Sequence, residues 1–235
     1  MARWLARRPQ PLRGSAPVLT VTFDDVIGSA CEAGAEILHR HGALATYYVA
    51  GGLTGTLEDD RAVHSVDQLR RLHEQGHEIA CHGWSHQRYT GLGAAELRAD
   101  LARNRAFLAQ VTGAAPSNFA YPFGAHDLRT KRLCARHFDT CRILGGGFHR
   151  RQADLANLGS WRLYGHGRQA QAWEPALRGL AGGGWAIFNT HGVEPDCGRY
   201  GCTPQDLEAL LARARELGYL ILNMRQALAY WRGAA

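Results

Sequence analysis

The chain has 235 residues, 46% of them hydrophobic, with 28 glycines and a formal net charge of +6. That size and apolar content exclude a disordered chain and fit one α/β domain or two small ones. No apolar run reaches the roughly 18 residues of a membrane span, and the basic start "MARWLARRPQPLRGSAPVLT" lacks an apolar stretch of signal-peptide length, so a soluble, cytoplasmic protein is expected.

Lys131 is the only lysine among 27 basic side chains. Such an arginine excess reads either as compositional bias or as fitness for an anionic substrate or carrier, such as a uronic acid or a phosphate-linked sugar. No long basic run or nucleic-acid motif occurs, which argues against a nucleic-acid partner. The six cysteines form no CxxC pair, and Cys197 and Cys202 are spaced wrongly for a zinc knuckle. They are expected as free thiols.

Residues 1–17 read as an N-terminal extension and residues 18–235 as one domain, since no linker-like segment or repeat interrupts them. Val18–Phe23 is an apolar run of strand type, ending in Asp24 and Asp25. Residues 29–41 form a predicted helix closed by Gly42, followed by a strand at Thr46–Val49. "SVDQLRRLHEQG" carries a capping box, Ser65 with Gln68, and a stop at Gly76. "HEIACH" is a short strand, "AAELRADLARNRAFLAQVTG" a long amphipathic helix, and "NFAYPFG" a strand ending in a turn. Weaker alternation runs through "FDTCRIL" to about residue 180. "WAIFNTH" is a buried strand, and "TPQDLEALLARARELG" a helix with Thr203 as N-cap and Pro204 in its first turn. "YLILNM" and "RQALAYWRG" supply the last strand and helix.

This alternation predicts a parallel sheet covered by helices, with barrel-like closure favoured by about seven strands. Functional side chains then belong at the carboxyl ends of the strands. Those ends read Asp24–Asp25, His82, Tyr121–Phe123 and His191. In "CHGWSH", His82 and His86 stand at i and i+4, where one helical turn would put both imidazoles on one face. A second histidine pair, His73 and His77, and a second acid pair, Asp59–Asp60, have the same spacings but do not follow apolar strands. Asp59–Asp60 extends from Glu58 in a polar loop and reads as a solvated charge run. Two imidazoles and one carboxylate leave metal positions open. A metal there would acidify water and polarise a carbonyl, a free acid would take the proton, and a histidine opposite would protonate a leaving amine.

Together "TFDD", "GHEIACHGWSH", "FAYPFG" and "IFNTHG" resemble, in order and spacing, the polysaccharide deacetylases, carbohydrate esterase family 4 with its NodB-homology domain. The resemblance implies a distorted (β/α)7 TIM-like barrel and hydrolysis of an N-acetyl or O-acetyl group on a sugar. The missing signal-peptide stretch favours an intracellular substrate, such as a lipid-linked or nucleotide-linked sugar in surface polysaccharide or glycolipid synthesis. It implies Asp24 as catalytic base and His191 as catalytic acid. Asp25, His82 and His86 become ligands of one divalent metal, zinc by default. Tyr121, Pro122 and Phe123 become substrate-binding residues, the Phe123 backbone N–H facing the oxyanion. Ala120 stands where the commonest family pattern has an arginine that holds the base. Val26 replaces a glycine, Asn189 a leucine, and Gly192 an aspartate. Asp154, His149 and His166 are the candidates to partner His191. Two other readings compete: a hydrolase of a non-sugar amide, and a carbohydrate-binding relative without turnover, motivated by Ala120 and Gly192.

Overall fold

A computed structural model describes residues 5–165 and 172–233. Seven parallel strands close into a ring: β1 (Val18–Asp24), β2 (Thr46–Val49), β3 (Glu78–Cys81), β4 (Asn118–Ala120), β5 (Thr140–Leu144), β6 (Leu158–Arg162) and β7 (Trp185–Thr190). The ring shuts where β7 pairs with β1, from Trp185 beside Val18 to Thr190 beside Phe23. This is the expected (β/α)7 TIM-like barrel. Seven helices accompany the strands: α1 (Ala35–Arg40), α2 (Val66–Glu74), α3 (Ala94–Thr112), α4 (Leu128–His137), α5 (Glu174–Gly179), α6 (Pro204–Glu216) and α7 (Met224–Arg232). The capping box of α2 forms as expected, Ser65 Oγ accepting from the Gln68 N–H at 3.2 Å and Gln68 Oε1 accepting from the Ser65 N–H at 2.8 Å.

The membership of the ring differs from the sequence reading. "YLILNM" contributes only Leu220–Ile221, which pairs with Val18 and Leu19. β7 occupies one whole edge of β1, so Leu220–Ile221 shares the other edge with β2, which pairs from Thr22 to Asp24. That shared edge is the barrel's distortion. The seventh ring strand is instead β6, "LGSWR", from the weakly patterned stretch. Its first three residues are buried, and a strand covered on both faces loses the alternation that reveals it. The segment before β1 lies against the barrel: Pro9–Pro11 pairs antiparallel with Gln152–Asp154, and Arg8 donates to the carbonyls of Ala135 and Phe138 at 2.9 and 2.7 Å.

Alternation along each strand sorts the core. Leu19, Val21 and Phe23 join the outer apolar layer beneath the helices, while Val18 joins Tyr48, Ala80, Ala120, Leu158, Trp185 and Ile187 inside the ring. The inward series of β1 therefore runs Val18, Thr20, Thr22, Asp24. The same parity points Arg142 of β5, Ser160 of β6 and Asn189 of β7 inward, so four polar side chains meet within the barrel's upper half.

His77, of the sequence's second histidine pair, is a core residue. Its Nδ1 accepts the Ala45 N–H at 3.1 Å and its ring meets Tyr47 edge-on at 5.4 Å. Burial, helped by His39, pushes its pKa down to about 4. Since the folded pKa lies below the unfolded value near 6.5, the neutral ring's stabilisation is complete above about pH 6.5 and is lost as the pH falls toward 4. In His77→Asn the amide oxygen takes the same N–H without titrating. Between pH 7 and pH 5 the wild type should lose about 2 kcal/mol more than this variant in denaturant unfolding.

Candidate active site

The two acids of "TFDD" separate because the backbone changes hand between them. Asp24 ends β1 and points into the barrel, whereas Asp25 and Val26 both adopt left-handed φ values, 57° and 65°. A β-branched residue is strained there, and glycine would not be. The turn is held by His64, which sequence reading overlooked. The His64 backbone N–H donates to the Val26 carbonyl at 3.0 Å, and its Nδ1 lies 3.1 Å from the carbonyl oxygens of both Asp25 and Val26. Nδ1 therefore carries the proton, and Nε2 accepts from the Thr54 hydroxyl at 2.9 Å.

Asp25, His82 and His86 come together, with ligand atoms all within 4.8 Å of one another. No helix does this, contrary to expectation. The chain leaves β3 through Gly83 (φ 78°) and returns at His86 (φ 49°), and a Cβ on Gly83 would run into the Tyr89 hydroxyl. Asp100 on α3 shapes the loop, accepting from the N–H groups of Trp84 and Ser85 at 2.8 and 2.9 Å and from the Tyr89 hydroxyl at 2.6 Å. We expect Asp100→Ala to weaken divalent-metal affinity about 10- to 100-fold, measured by chelator competition, while near-native circular dichroism is kept.

The donor chemistry fits a cation. His82 donates Nδ1–H to the Ala120 carbonyl at 2.8 Å, which leaves its Nε2 lone pair facing Asp25 Oδ1 at 3.5 Å. His86 Nε2 approaches the same oxygen to 2.9 Å, yet Oδ1 is buried without a well-formed hydrogen bond. Burial pushes His82 down to about 4, so its imidazole is neutral at pH 7. Burial would raise Asp25, but His191, His86 and His82 hold it well below the usual carboxylate range. Burial lowers His86, but Asp25 and Glu58 outweigh it and raise its pKa. Two imidazoles and one carboxylate converging in one pocket match a divalent ion, which would take the place of the His86 proton.

Asp24 has its own partner. Nη2 of Arg142 lies 2.6 Å from both carboxylate oxygens, and both residues are buried. Arg142 stands directly beside Ala120 in the β4–β5 register, so the guanidinium sits one strand over from the position the family pattern reserves for it. Its Nη1 donates to Ser160 Oγ at 2.9 Å, Ser160 lies 2.8 Å from Asn189 Oδ1, and Asn189 Nδ2 donates to the Tyr164 hydroxyl at 2.7 Å. Asn189, in place of an apolar wall, links the anchor of Asp24 to a tyrosine lining the cleft.

His191 follows β7, its Nε2 3.4 Å from Asp25 Oδ2. Its Nδ1 donates to the Tyr200 carbonyl at 3.2 Å, so a backbone oxygen takes the part expected of a side chain. Asp154 is engaged elsewhere, accepting from Lys131 Nζ at 2.7 Å and from the Arg8 N–H at 2.8 Å. His149 bonds the Gly159 carbonyl at 3.1 Å and packs near Trp185. His166 lies outside the described residues. Gly192 has a steric reason: a Cβ there would stand 2.9 Å from Ser29 Oγ. Burial lowers His191, but Asp25, Asp24 and Glu58 outweigh it and raise its pKa overall.

Asp24, Asp25, His82, His86 and His191 line one cleft of about 420 Å³. Phe123 is on its wall, with a left-handed φ of 59° and its ring centroid 4.6 Å from that of His86. Tyr121 and Pro122 are buried and are not part of the wall, because Tyr121 turns its ring onto Phe119 at 4.9 Å. Glu58 also differs from expectation: it faces the cleft, one carboxylate oxygen buried and unpaired, and burial together with Asp25 raises its pKa. Asp59 and Asp60 are exposed, as expected of a charged loop.

Residues 13–137, just over half of the chain, match the family model described as polysaccharide deacetylase. A peptidoglycan-N-acetylglucosamine deacetylase of Listeria monocytogenes is 26% identical over 108 residues, 46% of this chain and 22% of that protein, so the chain aligns with about a fifth of its relative's length. Among solved structures, a family 4 carbohydrate esterase from Bacillus anthracis superposes with TM-score 0.65 at 19% identity, covering 94% of this chain and 86% of that one. A structure described as T48 deacetylase with substrate gives TM-score 0.62 at 17% identity, covering 91% and 92%.

Proposed function

The chain belongs to the polysaccharide deacetylase family, and from that premise we propose that it is a metal-dependent hydrolase removing an N-acetyl group from a sugar. One observation carries the reading: an Asp25–His82–His86 donor set stands between an anchored carboxylate, Asp24, and a third histidine, His191, in a single cleft. The substrates named for relatives, peptidoglycan N-acetylglucosamine and chitin, support the sugar class. Surface polysaccharide or glycolipid synthesis is the setting we propose.

A divalent cation held by Asp25, His82 and His86, zinc by default, would polarise the acyl carbonyl and acidify water. Asp24 accepts the proton of the attacking water, its carboxylate plane fixed by Arg142 so that little reorganisation is needed. His191 donates a proton to the departing amine through Nε2, while Tyr200 holds Nδ1–H and so aims the ring. Phe123 is assigned the backbone N–H that meets the developing oxyanion, and its ring forms part of the sugar wall. The test is acetate release from N-acetylglucosamine oligomers before and after chelation. Activity lost with chelator and restored by zinc supports the reading. Activity that survives complete metal removal overturns it.

A further inference from the structure

The cleft carries more positive charge than the chemistry needs. Asp24 is matched by Arg142, and Asp25 belongs to the cation donor set. Three further arginines line the cleft: Arg88, Arg162 and Arg199, all exposed. Among the described residues none of the three forms an ion pair, and Glu58 is the only other acid on the wall. An arginine-rich sequence scatters guanidinium groups over a surface, but these three come from separate segments: the loop after β3, the last residue of β6, and the loop after β7. Two are set against aromatic rings. Arg88 Cζ lies 4.7 Å from the Phe123 ring centroid, and Arg199 Cζ lies 5.3 Å from that of Tyr200. Contact of this kind restrains the guanidinium and leaves its N–H edges free for a planar anion.

We infer that the substrate is an acylated sugar bearing anionic groups, carboxylate or phosphate, which Arg88, Arg162 and Arg199 bind while the acyl group occupies the Asp24–Asp25 end. This assignment rests on the deacetylase reading for the acyl group only. Arginine pairs with either anion through two parallel N–H bonds, and the open cleft makes the attraction sensitive to salt.

The test separates the anion from the chemistry. Binding to Asp24→Asn is measured by calorimetry for three probes: neutral chitotetraose, a hyaluronan tetrasaccharide carrying two carboxylates, and N-acetylglucosamine 1-phosphate. Acetate release from each is measured with the zinc-loaded wild type. The expected result is that at least one anionic probe binds more tightly than chitotetraose. That preference should fall about 10- to 100-fold in Arg88→Gln/Arg162→Gln/Arg199→Gln and shrink between 50 and 300 mM salt. Which anionic probe wins identifies the carboxylate or the phosphate. Equal binding of neutral and anionic probes, no binding of any, or equal binding of an octathymidylate overturns the inference. Arginine-dependent binding with no acetate released leaves the anion assignment standing and removes the deacetylase reading instead.

Discussion

Asp24→Asn is expected to keep one metal ion per chain and to lower turnover by about 10²- to 10⁴-fold, the range a general base contributes. The carboxamide has nearly the same shape and can still accept from Arg142, but it cannot take a proton from water. Asp25→Asn should do the reverse in order of cause, first weakening metal affinity and losing rate only through the missing ion. Metal content by elemental analysis, measured beside acetate release, distinguishes the two. If Asp24→Asn emptied the site and Asp25→Asn left it filled, the assignment of base and ligand would have to be exchanged. The backbone makes the first result the expected one. Asp24 lies on the inward parity of β1 against Arg142, while Asp25 sits beyond the strand in a left-handed turn beside His82 and His86.

Arg142→Met should have the second large effect, on both stability and rate. Removing one partner of a buried ion pair leaves an uncompensated charge, and such losses run to about 3–5 kcal/mol. For a chain of this size that lowers the melting temperature on the order of 10 °C. Ser160 would also lose its donor, and the chain of bonds through Asn189 to Tyr164 would lose its origin. The rate should fall with metal still bound, because the base loses its orientation while its ligand neighbours are untouched. A double-mutant cycle with Asp24→Asn isolates the pair. A coupling of about 2 kcal/mol or more is expected, whereas additive losses would mean that Arg142 acts through packing alone.

The parts of the site that sequence reading reached are those that follow apolar strands. Asp24, Asp25, His82 and His191 each sit where a hydrophobic run ends, and a parallel barrel brings those ends to one face. The second histidine pair and second acid pair lacked that context, and the structure puts His77 in the core and Asp59–Asp60 in solvent. Arg142 was not legible, because nothing local marks one arginine among so many. Its significance comes from lying beside Ala120 in a register that only the closed sheet defines. The partner of His191 had no signature to find, since a backbone carbonyl can come from any residue. Glu58 departs from its exposed neighbours Asp59 and Asp60 because a loop residue's exposure is set by what folds over it. The helix expected between His82 and His86 failed at Gly83 and at the side chain of Asp100, a residue 14 positions beyond His86 in the sequence.

The Asp24–Arg142 bond joins residues 118 positions apart. Contacts of such separation close a long loop before they contribute any stability, and folds that depend on them form slowly. The proposed cation ligands Asp25, His82 and His86 all lie in the first hundred residues, within the stretch matched by the family model, whereas Arg142 and His191 lie beyond it. During synthesis the donor set is therefore available long before Arg142, which anchors Asp24, and His191, and β1 has no partner on its β7 edge until residues 185–190 have emerged. On the proposed reading, the donor set is complete in the nascent chain early, whereas the full site is assembled only when the barrel closes.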